Sequence, residues 1–369
     1  MPDIWIRTDG NEKIATGHLM RCLSIARACA EQQKKVCFLV SDTQSETLLQ
    51  ERFAYPSEFE IQCLHSDYQD MEKELPALEH IMHWSHSSSE HILQEKGSWI
   101  LVDSYYVTAS YLEALKKWGH VAYLDDLFLF SYPVDCIINY DIPENEKPDC
   151  YNAAARCLLG TAYTPLRSQF QNVSYAVHQD IKHILISTGG IDPYQVAEKL
   201  LNRIIVKSHM KTASEPLFDS VLSVPTYYKY HILTSRLSSC YNRLTALSNK
   251  YPDIHIHENV QDMAGLMSQC DLAVSAGGTT LYELCAVGVP TISFAMTDNQ
   301  LSAVQTFSAS NIIPYAGDVR IDIDKVLDTI CNFLEHKQMP YSKRLEFSDR
   351  MRSFVDGYGS ARIAEALVG

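Results

Sequence analysis

The feature that most restricts what this chain can fold into is an alternation of short apolar runs with amphipathic segments, which stops midway and begins again. Residues 3–8, 36–40, 99–102, 121–124 and 136–139 are brief runs dominated by branched and aromatic side chains, as buried strands are. Residues 17–32 place Leu19, Cys22, Leu23, Ala26 and Ala30 at helical spacing, and 109–118 reads as another helix. Residues 140–177 are loop-rich. The pattern then resumes, with strands predicted at 183–187, 228–234, 254–257, 271–275 and 290–294. Helices are predicted at 192–205, 240–249, 262–269, 280–287, 300–308, 324–336 and around 361–367. Strands and helices in this order imply parallel sheets covered on both faces. The expected fold is therefore α/β, with two Rossmann-like doubly wound domains over 1–165 and 175–369, the last helix packing back on the first domain. A length of 369 residues suits two domains. Ligands bind such sheets at the carboxyl ends of the strands, so the site is expected in the cleft between the domains.

Composition narrows the class of protein. At 46% hydrophobic and 21% charged, the chain is neither disordered nor of low complexity. With 31 Lys+Arg against 45 Asp+Glu its net charge is −14, which excludes a broad basic surface for nucleic acid. A local pocket can still attract an anion against that global field. The 11 cysteines are scattered with no C-x-x-C pair and read as reduced, mostly buried thiols. The first residues lack a basic segment followed by an apolar one, and no apolar run approaches the roughly 20 residues of a membrane span. A cytoplasmic protein without membrane insertion is expected.

Three strand-to-helix turns carry chemistry. The first runs from Arg7 through Gly17, His18 and Arg21 to Cys22. Gly17 permits close backbone approach, and His18 stands in the first helical turn, where an imidazole is a candidate general base. The second is Ser187-Thr188-Gly189-Gly190-Ile191-Asp192. Its glycines and the following helix start favour an anion, but it is neither a P-loop nor a dinucleotide fingerprint. The third, Ser275-Ala276-Gly277-Gly278-Thr279-Thr280-Leu281-Tyr282-Glu283, offers backbone and hydroxyl donors to phosphate oxygens. Glu283, one turn into the helix, is placed to accept the hydroxyls of a ribose or to complement the helix dipole. Asp298-Asn299-Gln300 opens a helix near the same sheet edge.

In this order the motifs resemble the UDP-2,4-diacetamido-2,4,6-trideoxy-β-L-altropyranose hydrolases of pseudaminic acid biosynthesis. The resemblance runs from Arg7 to about Phe307 and includes Ile100–Tyr105, Tyr123–Asp126, Ile137–Asn139, Leu159–Arg167, Thr188–Gly190, Ser275–Glu283 and Asp298–Gln300. Single motifs are shared with wider relatives such as the lipid II-forming N-acetylglucosaminyltransferase. The resemblance implies a glycosyltransferase-B fold and a hydrolase that needs neither metal nor cofactor, cleaving C1–O of the UDP-sugar with inversion. His18 would activate water. Gly189, Gly190, Ser275, Gly277, Gly278, Thr279, Thr280 and Glu283 would hold UDP. Gly17, Asp103, Tyr105, Asp126, Arg167, Asn299 and Gln300 complete the implied substrate contacts. The family usually has Gly at the Ala15 position, often Ala at Thr8, and commonly His at Ser104. The alternatives are a transferase of the same fold acting on an acceptor alcohol, or a non-catalytic UDP-sugar-binding protein.

Other features read blandly. His80, His83, His86 and His91 lie in a polar, Ser-rich stretch without companion ligands at metal spacing. Asp125-Asp126 is adjacent rather than Asp-x-Asp and reads as a substrate-side or turn pair. Tyr227, Tyr228 and Tyr230 read as packing, and 208–225 as a polar insertion without a motif.

Overall fold

The computed structural model describes residues 2–11, 14, 16–52, 58–87, 97–141, 146–212, 228–335 and 338–369, the side chains of 83–87, 207–212 and 299 excepted. Ala15, His91 and most of the 208–225 insertion lie outside the described residues. The chain divides into two compact units, Met1–Ser168 with Gly357–Gly369, and Gln169–Asp356.

Unit 1 contains β1 (Ile4–Thr8), α1 (Gly17–Glu31), β2 (Val36–Val40), α2 (Thr43–Gln50), β3 (Glu60–Cys63), α3 (Leu75–Ser87), β4 (Trp99–Asp103), α4 (Ala109–Leu115), β5 (His120–Leu124), β6 (Cys136–Asn139) and β7 (Arg156–Leu159). Its strands form one parallel sheet in the order β3-β2-β1-β4-β5-β6-β7. Alternating residues of β1 serve two cores: Ile4 and Ile6 pack with α1, Trp5 with residues of α3 and α4. Burial on both faces is why the central strands read as continuous apolar runs.

Unit 2 contains β8 (His183–Ser187), α5 (Val196–Thr212), β9 (Lys229–Leu233), α6 (Tyr241–Lys250), β10 (Ile254–His257), α7 (Met263–Ser268), β11 (Leu272–Ala276), α8 (Thr279–Val287), β12 (Thr291–Ala295), α9 (Asp298–Ala309), β13 (Tyr315–Asp318), α10 (Val319–Phe333) and α11 (Tyr341–Phe354). Its sheet is parallel in the order β10-β9-β8-β11-β12-β13. The final helix, α12 (Gly359–Val368), belongs to unit 1, where Ile363, Ala364 and Leu367 enter the core beside Leu19, Cys22 and Leu23 of α1.

In each sheet the strand order reverses at one point, between β1 and β4 and between β8 and β11. Ligands of doubly wound sheets bind at such switch points, beyond the carboxyl ends of the strands. The three glycine turns follow β1, β8 and β11. Sequence and structure differ in places. Residues 156–159 form β7 inside the stretch read as loop, and the helix expected from 192 begins at Val196. Asp192 and Gln195 there take positive φ of 43° and 57°, which a helix does not allow.

Candidate active site

In unit 1 the turn after β1 is anchored by a buried charge cluster. Arg7 is fully buried; its Nε and Nη2 donate to Glu74 at 2.7 and 2.8 Å, and its Nη1 donates to Asp9 at 2.5 Å. Asp9 Oδ1 also accepts from the Ser41 amide and hydroxyl, at 2.6 and 2.7 Å. Tyr111 donates to Glu74 at 2.6 Å. These bonds fix where the chain leaves the sheet before it reaches Gly17, which is exposed and has open space where a Cβ would stand.

His18 is 7% exposed and lies on α1 facing the end of β4. Its Nδ1 stands 2.6 Å from Asp103 Oδ1. Asp103 is buried, and Arg21 donates to it from Nε at 2.6 Å and from Nη2 at 2.5 Å. The Cys22 thiol donates to the same carboxylate at 3.4 Å. Burial alone would raise the Asp103 carboxyl, but Arg21 and His18 outweigh it and hold it well below the usual carboxylate range. An ionised carboxylate only accepts, so the bond requires the proton on Nδ1. The neutral ring then keeps its lone pair on Nε2. A pocket lined by Asp9, Ile14, His18, Asp103, Ser104, Tyr105 and Tyr106 opens here.

Tyr105 packs edge-on against the His18 ring, centroids 4.5 Å apart, and its hydroxyl donates to Asp126 Oδ2 at 3.1 Å. Asp126 Oδ1 is buried and has no hydrogen-bond partner among the described residues. The neighbouring Asp125 is structural: it accepts from the Leu127 and Phe128 amides and from the Tyr132 and Tyr151 hydroxyls. Arg167 is half-buried at the end of unit 1. The resemblance implies Asp103 among the substrate contacts; in the structure it lines the His18 pocket and its oxygens are engaged by His18, Arg21 and Cys22.

In unit 2 the two glycine turns are not equivalent. After β8, Gly189 takes φ +79°, and both Gly189 and Gly190 are exposed. The helix that follows starts five residues on, and its first amides are already satisfied, Val196 and Ala197 donating to Asp192 at 2.8 and 3.0 Å. The dipole of α5 is therefore capped by a carboxylate of the chain itself, and what this turn offers a ligand is the loop of Gly189 and Gly190. After β11, Gly277 and Gly278 lead directly into α8, whose N-cap Gly278 supplies no side-chain cap. The Gly277, Gly278 and Leu281 amides donate to the carbonyls of Phe294, Ala276 and Gly278 at 3.0, 2.8 and 2.9 Å, so among the described residues it is the first-turn amides of Thr279 and Thr280 that are left to a ligand or solvent. Thr279 is exposed, Thr280 half-buried, and Glu283 is 8% exposed one turn further on.

Three residues expected at the ligand have other or undescribed partners. Ser275 is fully buried and its hydroxyl donates to the Ala276 carbonyl at 2.9 Å. Gln300 Oε1 accepts from the Met296 amide at 3.0 Å, closing the loop before α9. Asn299 lies in α9, its side chain outside the described ones. Among the described residues no group of three His, Cys, Asp or Glu could hold a metal ion, and no helix is long and apolar enough to cross a membrane. Sequence reasoning missed Glu74; Arg21, three residues after His18 on one helix face, reads from sequence as either an anion contact or the partner of an acid, and in the structure it pairs with Asp103.

No protein-family model matches the chain. It is 27% identical to the spore coat polysaccharide biosynthesis protein SpsG of Bacillus subtilis over 214 residues, 58% of this chain and 58% of that protein. The matched part is thus less than two thirds of that relative's length. Acinetobacter baumannii MurG superposes with a TM-score of 0.62 at 15% identity, covering 99% of this chain and 98% of that one. The S. aureus MnaA–UDP co-structure superposes with a TM-score of 0.59 at 12% identity, covering 98% and 95%. These likenesses establish the class of fold, a glycosyltransferase-B type with two parallel-sheet α/β domains.

Proposed function

We propose that this chain is an enzyme of nucleotide-sugar metabolism, and specifically a hydrolase of a UDP-activated diacetamido-trideoxy sugar. The observation that carries the reading is the His18–Asp103 pair. It fixes the imidazole proton on Nδ1 and leaves Nε2 as a base at a pocket. Nε2 takes a proton from water as the water oxygen attacks C1 of the sugar. The bond from C1 to the diphosphate oxygen breaks, and its electron pair leaves with UDP. Attack opposite the leaving group inverts the configuration. UDP carries its own charge, so stabilising it is the main electrostatic task, and no second carboxylic acid is required. Thr279 and Thr280 supply amide and hydroxyl donors for the diphosphate, Gly277 and Gly278 shape the turn that seats it, and Glu283 is assigned to the ribose. Gly189 and Gly190 add loop amides; Tyr105, Asp126 and Arg167 are assigned to the sugar. The spore coat polysaccharide biosynthesis of SpsG and the UDP of the MnaA–UDP co-structure support the substrate class.

The test is UDP release from UDP-2,4-diacetamido-2,4,6-trideoxy-β-L-altrose, alongside UDP-sugars differing at C2, C4 and C6. Free sugar and UDP are expected, the new anomer inverted by NMR. Intact substrate at high enzyme concentration refutes hydrolysis of that sugar, and release that depends on an added alcohol makes the enzyme a transferase. His18→Gln is expected to lose roughly 10²–10⁴-fold in turnover while keeping UDP binding.

A further inference from the structure

We propose that Arg21 is a positioning residue that locks the carboxylate behind His18 and the carboxylate of Asp126 into one geometry. The inference rests on the reading of His18 as the base. The guanidinium is 7% exposed and sits at the meeting point of several elements. From α1 itself it faces His18 and Cys22. From the end of β4 it faces Asp103, from the loop after β5 Asp126, and from the residue after β6 Tyr140. Nε and Nη2 form a two-pronged fork on Asp103 at 2.6 and 2.5 Å. Nη1 donates to Tyr140 at 2.8 Å and reaches Asp126 Oδ2 at 3.4 Å. Tyr105 supplies the second donor to that oxygen, while Asp126 Oδ1 is buried and has no partner among the described residues.

A planar, always-charged fork suits this task and a lysine does not. Arg21 Nη2 and His18 Nδ1 lie 3.2 Å apart and converge on the same Asp103 oxygen. Both carry hydrogens, so this approach is no hydrogen bond. It is two donors sharing one acceptor. Arg21 therefore holds the Asp103 carboxylate in the orientation in which Oδ1 meets Nδ1 of His18. Through Asp126 the same guanidinium sets the height of an unsatisfied acceptor, suited to a ligand group that donates, a hydroxyl or an amide N–H.

The experiment reads the ring tautomer of His18 in the protein with ¹⁵N-labelled histidine, through long-range ring correlations assigned with His18→Gln. It needs no substrate, so its failure is distinguishable from failure of the hydrolase reading. In the parent, His18 is expected as the Nδ1–H tautomer. In Arg21→Gln the Asp103 carboxylate loses its fork, so a mixture of both ring tautomers is expected, and where turnover is found kcat falls more than KM changes. Arg21→Lys keeps a charge but not the fork, so it too should leave a mixture of both ring tautomers. A single Nδ1–H tautomer in Arg21→Gln overturns the proposal. Should Arg21→Gln not fold, Arg21→Lys decides: a single Nδ1–H tautomer there overturns it.

Discussion

Gly277 and Gly278 are adjacent and chemically identical, yet the structure requires them for different reasons. A Cβ on Gly277 would stand 2.4 Å from Val304 Cγ1 and 3.0 Å from the Gln300 carbonyl oxygen, so this glycine lets α9 approach the end of β11. A Cβ on Gly278 would meet nothing within 4 Å, and its φ of −100° suits any residue. We therefore expect Gly277→Ala to cost about 1–3 kcal/mol through overpacking. Gly278→Ala is expected to change stability by less than about 0.5 kcal/mol. If the open face of Gly278 seats the diphosphate, the added methyl weakens UDP binding at least roughly tenfold. Thermal denaturation and calorimetric UDP titration separate the two; UDP affinity unchanged in Gly278→Ala removes the cradle. Only the glycine types are visible in the sequence, because packing against Val304 is a property of the folded neighbour. Asp103 shows the same limit. The resemblance alone implied a substrate contact for it, whereas its partner His18 stands 85 residues away and no local pattern announces the pair.

At the scale of elements, the central strands and the helices beginning at Gly17 and Thr279 were legible because burial on both faces and helical periodicity are strong local signals. Weak elements were not. β3 is Glu-Ile-Gln-Cys on a sheet edge, half-exposed, and its pairing with β2 is decided by tertiary contact. Also hidden was a row of imidazoles across β8, β9 and β10. His183 Nδ1 lies 2.9 Å from His231 Nε2, and His231 Nδ1 lies 2.9 Å from His257 Nε2, while the His255 ring stacks on His231 at 5.4 Å. These residues are far apart in sequence and align only through parallel register. Burial, then His257, His183, His255 and Lys229, push His231 down to about 4, and burial first of all lowers His183 and His257 too. The unfolded chain binds protons on these rings near 6.5, the folded one less readily. Between those values the unfolded state carries more protons, so stability is complete above about pH 6.5 and falls as pH drops towards 4. We expect the melting temperature of unit 2 to decline from pH 7 to pH 5, and His231→Gln to flatten that decline. Parallel curves for parent and variant exclude the imidazole row as its source.

For the whole molecule, the decisive fact is that unit 1 is closed by the last segment of the chain. After unit 2 ends at Asp356, α12 returns to lie on α1, the helix that carries His18 and Arg21. Gly359 begins it where a Cβ would meet the Thr164 backbone at 2.1–2.6 Å, so α12 and the turn at Thr164 touch through bare backbone. Ser360 donates to the Leu166 carbonyl at 2.8 Å, Arg362 to Ala162 at 2.9 Å, and Arg156 to Ala366 at 2.7 Å. Burying a large aliphatic side chain contributes about 1.5–3 kcal/mol, so losing Ile363 and Leu367 together removes about 3–6 kcal/mol. That is a large share of the roughly 5–15 kcal/mol that holds a domain. A chain lacking 357–369 should therefore keep unit 2 and loosen unit 1. Hydrogen exchange gives the readout: amides of 17–31 lose protection, while 183–187 and 272–276 keep theirs. Gly359→Ala should shift the same peptides less, because the helix remains and only its seat is forced apart. UDP binding assigned to unit 2 survives both changes, and turnover dependent on His18 falls in proportion to the opening of α1. Unchanged exchange across 17–31 in the truncated chain means that α1 is held by its sheet alone, and α12 then has no part in shaping the base.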